Sequence, residues 1–360
     1  MSGTAAALDV DRLLGWLQEA VPALAVEATT GISLTQIGGG YSNLTLALVL
    51  GSGRMARSYI LRSPPHGVRA DRGAHDMRRE FRVLTSVHGS AVPVPEPIAL
   101  CEDETVLGAM FFIMEKVPGV AVRALDDAPA LRDPAVMRAT SEALVDGLAA
   151  LHALPVTQMP IYDAARVEGY GARQVANWHA RWTAARPADV PDVDAQDVFA
   201  WLAEHLPAPL PSSLLHNDWK FDNMLVDPVN PAHVNGVLDW EMATIGDPRF
   251  DLATALGYWV QADDSTMLQA LALGVTTAPG CLTRAEVVAR YESVSGITIE
   301  TPVYWWAFGL AKVAVIVLQL YARYVDGRSR DPRFALLGGM AALLMQSARR
   351  AIERNSLVAH

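Results

Sequence analysis

The feature that most restricts the fold of this chain is a change of pattern near residue 116. Before it, residues 32–37, 44–50, 58–62, 97–101 and 111–115 read as short strands, bounded by turn formers such as Gly51-Ser52-Gly53 and by the prolines Pro93, Pro95 and Pro97. One helix interrupts them at residues 77–87, with Asp76 placed to cap it, and an amphipathic helix over 9–21 precedes them with Leu13, Leu14 and Leu17 on one face. After Lys116-Val117-Pro118-Gly119 the pattern turns helical, over about 134–151, 164–181, 195–206, 250–260, 284–293, 302–324 and 334–354. A hairpin at 224–226 and 234–238 breaks this run. The expected fold is α+β and bilobal. Residues 1–116 form a small antiparallel-sheet lobe with one inserted helix, and residues 117–360 form a larger, mainly helical lobe.

At 360 residues there is ample material for a core. The net charge of −10 removes the basic face that nucleic-acid binding requires. Two isolated cysteines, Cys101 and Cys281, make neither a disulfide framework nor a zinc site. The first eight residues lack a basic region followed by an apolar stretch, so no secretion signal and a cytoplasmic location are expected. The longest apolar segment, 303–321, contains Lys312 and Gln319 and reads as a buried helix, not a membrane span. Lysine is scarce. Only Lys116, Lys220 and Lys312 occur, and the other 26 basic residues are arginine.

The chemistry concentrates in Leu215-His216-Asn217-Asp218-Trp219-Lys220-Phe221-Asp222-Asn223, which holds the spacing His-x-Asp-x-x-x-x-Asn. The strand-like segment that follows ends in Asp239-Trp240-Glu241. An acid on a loop and a second acid just after a strand suit phosphoryl transfer. One takes the proton of an attacking hydroxyl, and the other holds magnesium on phosphate oxygens. Asp218 is therefore the candidate base, and Asn223 and Asp239 offer the hard oxygen ligands that magnesium prefers. Upstream, Gly38-Gly39-Gly40-Tyr41-Ser42-Asn43 lies between two strands, where glycines let backbone N–H groups approach an anion.

These stretches, with Tyr59-Ile60-Leu61-Arg62, Arg79-Glu80-Phe81, Met114-Glu115, Gly246-Asp247-Pro248 and Asp251-Leu252-Ala253, resemble the aminoglycoside phosphotransferase and choline-kinase-like superfamily. The nearest branch holds kinase-like domains fused to acyl-CoA dehydrogenases. The resemblance covers roughly residues 32–324 and implies a protein-kinase-like fold, with ATP as donor (GTP left open), Mg²⁺ as cofactor and a small hydroxylated molecule as acceptor. It implies that Lys220 meets the transferred phosphate, that His216 anchors the loop, and that Gly38, Gly39, Gly40, Ser42 and Asn43 belong to the nucleotide loop. It also makes Glu115 and Val117 part of the adenine hinge. Arg62 stands where the superfamily often has lysine. With no lysine before Lys116, Arg62 is the expected phosphate clamp and Glu80 its partner, since a guanidinium fork suits phosphate and carboxylate oxygens. Asp247 and Asp251 read as structural supports.

The acceptor is less marked. Asp189, Asp192, Asp194, Asp197, Asp263 and Asp264 suggest either an acidic wall for a polycation or a solvated face. Trp178, Trp182, Trp201, Trp259, Trp305 and Trp306 suggest either core or a pocket for a partly apolar acceptor such as a hydroxyacyl thioester or a macrolide-like compound. Two further readings stand beside the kinase: a nucleotide-binding regulatory protein with impaired catalysis, motivated by Arg62, and a lipid or acyl-CoA carrier, motivated by the tryptophans. No nucleic-acid or membrane partner is expected, and nothing in the sequence sets the oligomeric state.

Overall fold

The computed structural model describes residues 9–37, 43–65, 75–270 and 274–358. The chain divides into two compact units. The first runs up to Pro118 and includes Met159–Ile161 and Gly236–Ala243; the second comprises Gly119–Gln158, Tyr162–Asn235 and the chain from Thr244 onward.

In the first unit, helices α1 (Val10–Ala20) and α2 (Pro22–Ala28) precede strands β1 (Ile32–Gln36), β2 (Leu44–Leu50) and β3 (Arg57–Ser63). Helix α3 (Met77–Val87) follows, then β4 (Pro97–Cys101), the short α4 (Glu104–Leu107) and β5 (Phe111–Glu115). The five strands form an antiparallel sheet in the order β1-β2-β3-β5-β4. Alternation divides its side chains between two faces. Leu46, Leu48, Leu50, Leu61, Phe111 and Ile113 bury one face against Leu13, Leu17 and Leu24 of α1 and α2. Trp16 meets Phe111 edge-on at 5.1 Å. Arg62, one residue beyond Leu61, therefore turns to the other face, where α3 packs and Phe81 lies against Phe112. Asp76 caps α3 as its position predicts, accepting from the Arg79 N–H at 3.0 Å.

The second unit begins with strand β6 (Val120–Ala121) and helices α5 (Pro134–His152), α6 (Ala164–Val167), α7 (Tyr170–Ala185) and α8 (Val193–Glu204). The expected helix over 164–181 is split at Gly169, whose φ of 64° only glycine adopts cheaply. Strands β7 (Ser213–Leu215), β8 (Met224–Val226), β9 (Val234–Val237) and β10 (Thr244–Gly246) follow, the last two residues of β9 belonging to the first unit. β7 pairs with β10, and β6 with β8, both antiparallel. Helices α9 (Arg249–Tyr258), α10 (Thr266–Gln269), α11 (Arg284–Ser295), α12 (Pro302–Val325) and α13 (Leu337–Arg354) complete it.

The core of this unit is built on α9 and α12. Every residue of α9 is buried, which explains why it carries no polar face. Where the two helices cross, Gly257 and Gly309 meet backbone to backbone: a Cβ at Gly309 would lie 1.9 Å from the Ala253 carbonyl oxygen. Helix α12 is long and apolar enough to cross a membrane, yet 83% of its most apolar window is buried within the protein, as expected of a core helix. Five of the six tryptophans named above resolve as core: Trp178, Trp182, Trp259, Trp305 and Trp306 are buried, whereas Trp201 is half-buried.

Candidate active site

In the second unit, the motif loop leaves β7 at His216 and is pinned from below by Asp251 of α9. The fully buried Asp251 carboxylate accepts the His216 N–H at 2.6 Å and the Asn217 N–H at 2.8 Å, and lies 3.4 Å from His152 Nε2. Burial alone would raise this carboxyl, but hydrogen bonding and charge from His152 and His216 hold it below the usual range. Asn217 takes a left-handed conformation with φ 67°, which asparagine tolerates better than most residues. Trp219 anchors the far side, donating Nε1 to the Leu144 carbonyl at 3.0 Å. The buried His216 ring supports the turn, with Nδ1 accepting the Asp218 N–H at 3.2 Å.

On this support Asp218, Lys220 and Asn223 converge. Asn223 Nδ2 donates to the Asp218 backbone oxygen and to Oδ2, both at 2.8 Å, which turns the amide oxygen away from Asp218 as a hard acceptor. Lys220 Nζ lies 3.1 Å from Asp218 Oδ2, 3.7 Å from Asp222 Oδ2 and 4.8 Å from the centre of the Tyr258 ring. Burial would lower the Lys220 ammonium, but Tyr258, Asp218 and Asp222 lift it above the ordinary lysine value, so it is charged at neutral pH. Asp222 is itself raised, by burial first, against the pull of Lys220. Nothing in the sequence marked Tyr258 as a neighbour of this cluster.

The first unit holds a second charged cluster. Arg62 NH1 lies 3.0 Å from Glu80 Oε1, and NH2 lies 3.2 Å from Asp239 Oδ1 and 3.4 Å from Glu241 Oε2. The expected Arg62–Glu80 pair is therefore present, and Asp239 and Glu241 join it. Asn43 Nδ2 donates to Glu241 Oε2 at 2.9 Å, and Asn43 Oδ1 contacts His75 Nδ1 at 2.9 Å. Burial raises the Glu80 carboxyl to about 7, against the pull of the Arg62 guanidinium. Glu80 Oε2 and Arg62 Nε are buried with no hydrogen-bond partner among the described residues. Asp239 sits in a left-handed conformation with φ 66°, and its side chain remains 36% exposed.

The hinge candidates differ in setting. Glu115 is exposed at the end of β5, accepting weakly from the Glu96 N–H at 3.4 Å, and Val117 is half-buried. Gly38, Gly39, Gly40 and Ser42 lie outside the described residues. Among the described residues no group of three or more His, Cys, Asp or Glu forms a metal cage. Asn223 of the second unit and Asp239 of the first each offer a hard oxygen donor of the kind magnesium prefers.

The acidic run is spoken for within the protein. Asp189 accepts from the Tyr321 hydroxyl at 2.5 Å, and Asp192 from Trp182 Nε1 at 2.7 Å. Asp194 and Asp197 pair with Arg349 at 2.9 and 3.2 Å, Asp263 accepts from Gln261, and Asp264 forms a buried pair with Arg284. Each carboxylate of the run therefore has at least one partner within the protein.

The profile of the phosphotransferase enzyme family matches residues 33–283. Acyl-CoA dehydrogenase family member 11 of Homo sapiens is 31% identical over 326 residues, covering 89% of this chain and 40% of that protein. Family member 10 of Mus musculus is 30% identical over 308 residues, covering 85% and 28%. The chain thus spans well under half the length of these relatives. A Ralstonia eutropha crystal structure assigned to the aminoglycoside phosphotransferases superposes with a TM-score of 0.79 at 25% identity, over 96% of this chain and 99% of that one. Aminoglycoside phosphotransferase APH(4)-Ia, in complex with AMP-PNP and hygromycin B, gives a TM-score of 0.61 at 17% identity, over 94% and 98%, a likeness of fold.

Proposed function

The chain belongs to the phosphotransferase enzyme family, and from that premise we propose that it is a magnesium-dependent kinase moving the γ-phosphate of ATP to a hydroxyl of a small molecule. The observation that carries this reading is the setting of one carboxylate. Asp218 Oδ2 is held between Asn223 Nδ2 at 2.8 Å and Lys220 Nζ at 3.1 Å, on a loop pinned by Asp251. In this reading the Asp218 carboxylate orients the acceptor hydroxyl and takes its proton as the oxygen attacks phosphorus in line. Lys220, kept charged, balances the carboxylate and stabilises charge on the phosphoryl group in flight. Asn223 and Asp239 hold the magnesium, with Glu241 supporting Asp239 through Arg62. The metal, when bound, neutralises charge on the phosphate oxygens. Arg62, backed by Glu80, binds the α- and β-phosphates in place of a lysine. The backbone of Glu115 and Val117 receives the adenine, and Gly38, Gly39, Gly40, Ser42 and Asn43 are the residues proposed to bind the phosphates.

The reaction needs no phospho-enzyme. Screening labelled ATP against aminoglycosides, macrolides, sugars, amino alcohols and hydroxyacyl thioesters tests the reading. Transfer to one class is expected, with Asp218→Ala abolishing it while stabilisation by MgATP persists. Unchanged turnover in that variant would refute the base assignment.

Within that screen we favour a hydroxyacyl thioester over an aminoglycoside. The acidic residues of the helical unit are engaged internally, and the relatives named above are acyl-CoA dehydrogenase family members. The regulatory alternative rests on Arg62 replacing lysine. Nucleotide binding without ADP release on any acceptor would support it.

A further inference from the structure

We infer that Lys312 is a positioning residue for phosphoryl transfer: from the core helix α12 it holds the left-handed turn at Asn217 and thereby aims Asp218. The inference rests on the kinase reading above. It starts from a charged side chain buried in the core. Lys312 is 3% exposed and is the one charged side chain among the buried residues of α12, and a buried ammonium is costly unless its donors are met. They are met, largely by the loop. Nζ donates to the Asn217 carbonyl at 2.8 Å and approaches Asn217 Oδ1 at 3.4 Å, and a third bond reaches Thr254 Oγ1 at 2.8 Å.

Asn217 is thus gripped from both sides. Its N–H donates to Asp251 Oδ1 at 2.8 Å, and its carbonyl accepts from Lys312. The residue sits at φ 67°, a conformation that is unfavourable for a non-glycine residue and persists only when its surroundings impose it. The next residue is Asp218. Releasing the carbonyl lets the turn relax towards commoner backbone angles, and that rotates the Asp218 carboxylate away from Asn223 and Lys220. A misplacement of about 1 Å costs as much as a hundredfold in rate.

The test compares wild type, Lys312→Met and Lys312→Met/Asn217→Gly as full-length proteins. Methionine keeps the length and apolar packing and removes the donors. Hydrogen exchange should quicken by about tenfold or more in the peptide covering 214–224, while peptides from the crossing of α9 and α12 stay as in wild type. Turnover should fall by about tenfold or more with KM for MgATP within about twofold. Glycine at 217 removes the penalty of the left-handed turn, so the double variant should regain part of the lost kcat. A residue that merely fills the core would instead speed exchange along both helices and lower Tm with kcat per folded molecule unchanged, which overturns the inference. So does unchanged loop exchange, or no recovery in the double variant. If wild type itself transfers phosphate to no acceptor, the kinase reading fails and takes the catalytic role with it. Loop exchange then judges the Asn217 clamp alone.

Discussion

Replacing Gly309 by alanine tests the contact on which the helical unit is built. A Cβ there would lie 1.9 Å from the Ala253 oxygen and 2.9 Å from the Gly257 nitrogen, where ordinary contact begins near 3.4 Å. Relief requires α12 to move off α9 by about 1.5 Å, the difference between those separations, because both obstacles are backbone and no rotamer change helps. Overpacking costs about 1–3 kcal/mol where side chains yield, so the upper end applies here. Alanine returns about 1 kcal/mol through helix propensity, leaving a net loss of about 2 kcal/mol. With an unfolding entropy of about 2.1 cal/mol/K per residue over 360 residues, Tm falls by about 3 °C.

The matched control is Gly339→Ala in α13, where nothing lies within 4 Å of the added Cβ. There only the propensity gain of about 1 kcal/mol acts, and Tm rises by about 1 °C. Scanning fluorimetry or calorimetry resolves this difference in sign. A Gly309→Ala protein melting at or above wild type would refute the backbone-to-backbone crossing. The consequence reaches the candidate site, because Lys312 is one turn beyond Gly309 and Asp251 lies on α9. The same variant should also show a lower kcat.

Three further outcomes are expected. Asp251→Asn replaces one acceptor oxygen with an N–H facing a backbone donor and should cost about 3 kcal/mol, at about 1.5–3 kcal/mol per hydrogen bond to a charged group; urea denaturation showing less than about 1 kcal/mol would count against its anchoring role. Arg62→Met leaves Glu80, Asp239 and Glu241 facing one another, which should destabilise by about 3–5 kcal/mol and weaken MgATP binding in calorimetric titration. Glu80 is raised above its unfolded value, so the loss should be smaller at pH 6, where that carboxyl is protonated, than at pH 8; an equal loss at both would contradict this. Lys312 is lowered to about 8 by burial, opposed by Asp251 and Asp218 and reinforced by Arg181 and Lys220. Its unfolded value is near 10.5, so the folded state disfavours the proton between those values and stability rises with pH across that window, by about 3 kcal/mol in full. Denaturation at pH 7.5, 9 and 10.5 should show this rise relative to Lys312→Met, and parallel curves for the two proteins would refute it.

The elements themselves were legible. The sheet strands at 97–101 and 111–115, the cap at Asp76 and the proline start of α5 appear where local pattern puts them, because apolar periodicity, turn residues and caps act over a few positions. The loop holding Asp218, Lys220 and Asn223 was equally legible, since its chemistry sits within eight residues. Lys312 was visible only as an oddity, a charge inside an apolar run.

By itself the sequence determined an antiparallel sheet followed by helices, and a loop carrying an acid, a lysine and an amide at fixed spacing. Tertiary structure decided what those groups face. It set Lys312 beneath Asn217 across 95 residues and brought Arg62 to Asp239 across 177. It laid the Tyr258 ring against Lys220 and turned the aspartates of the acidic run towards internal partners. The physical reason is range. Backbone propensity and spacing are fixed by neighbours in the chain, whereas charge pairing and burial depend on which distant segments the core draws together.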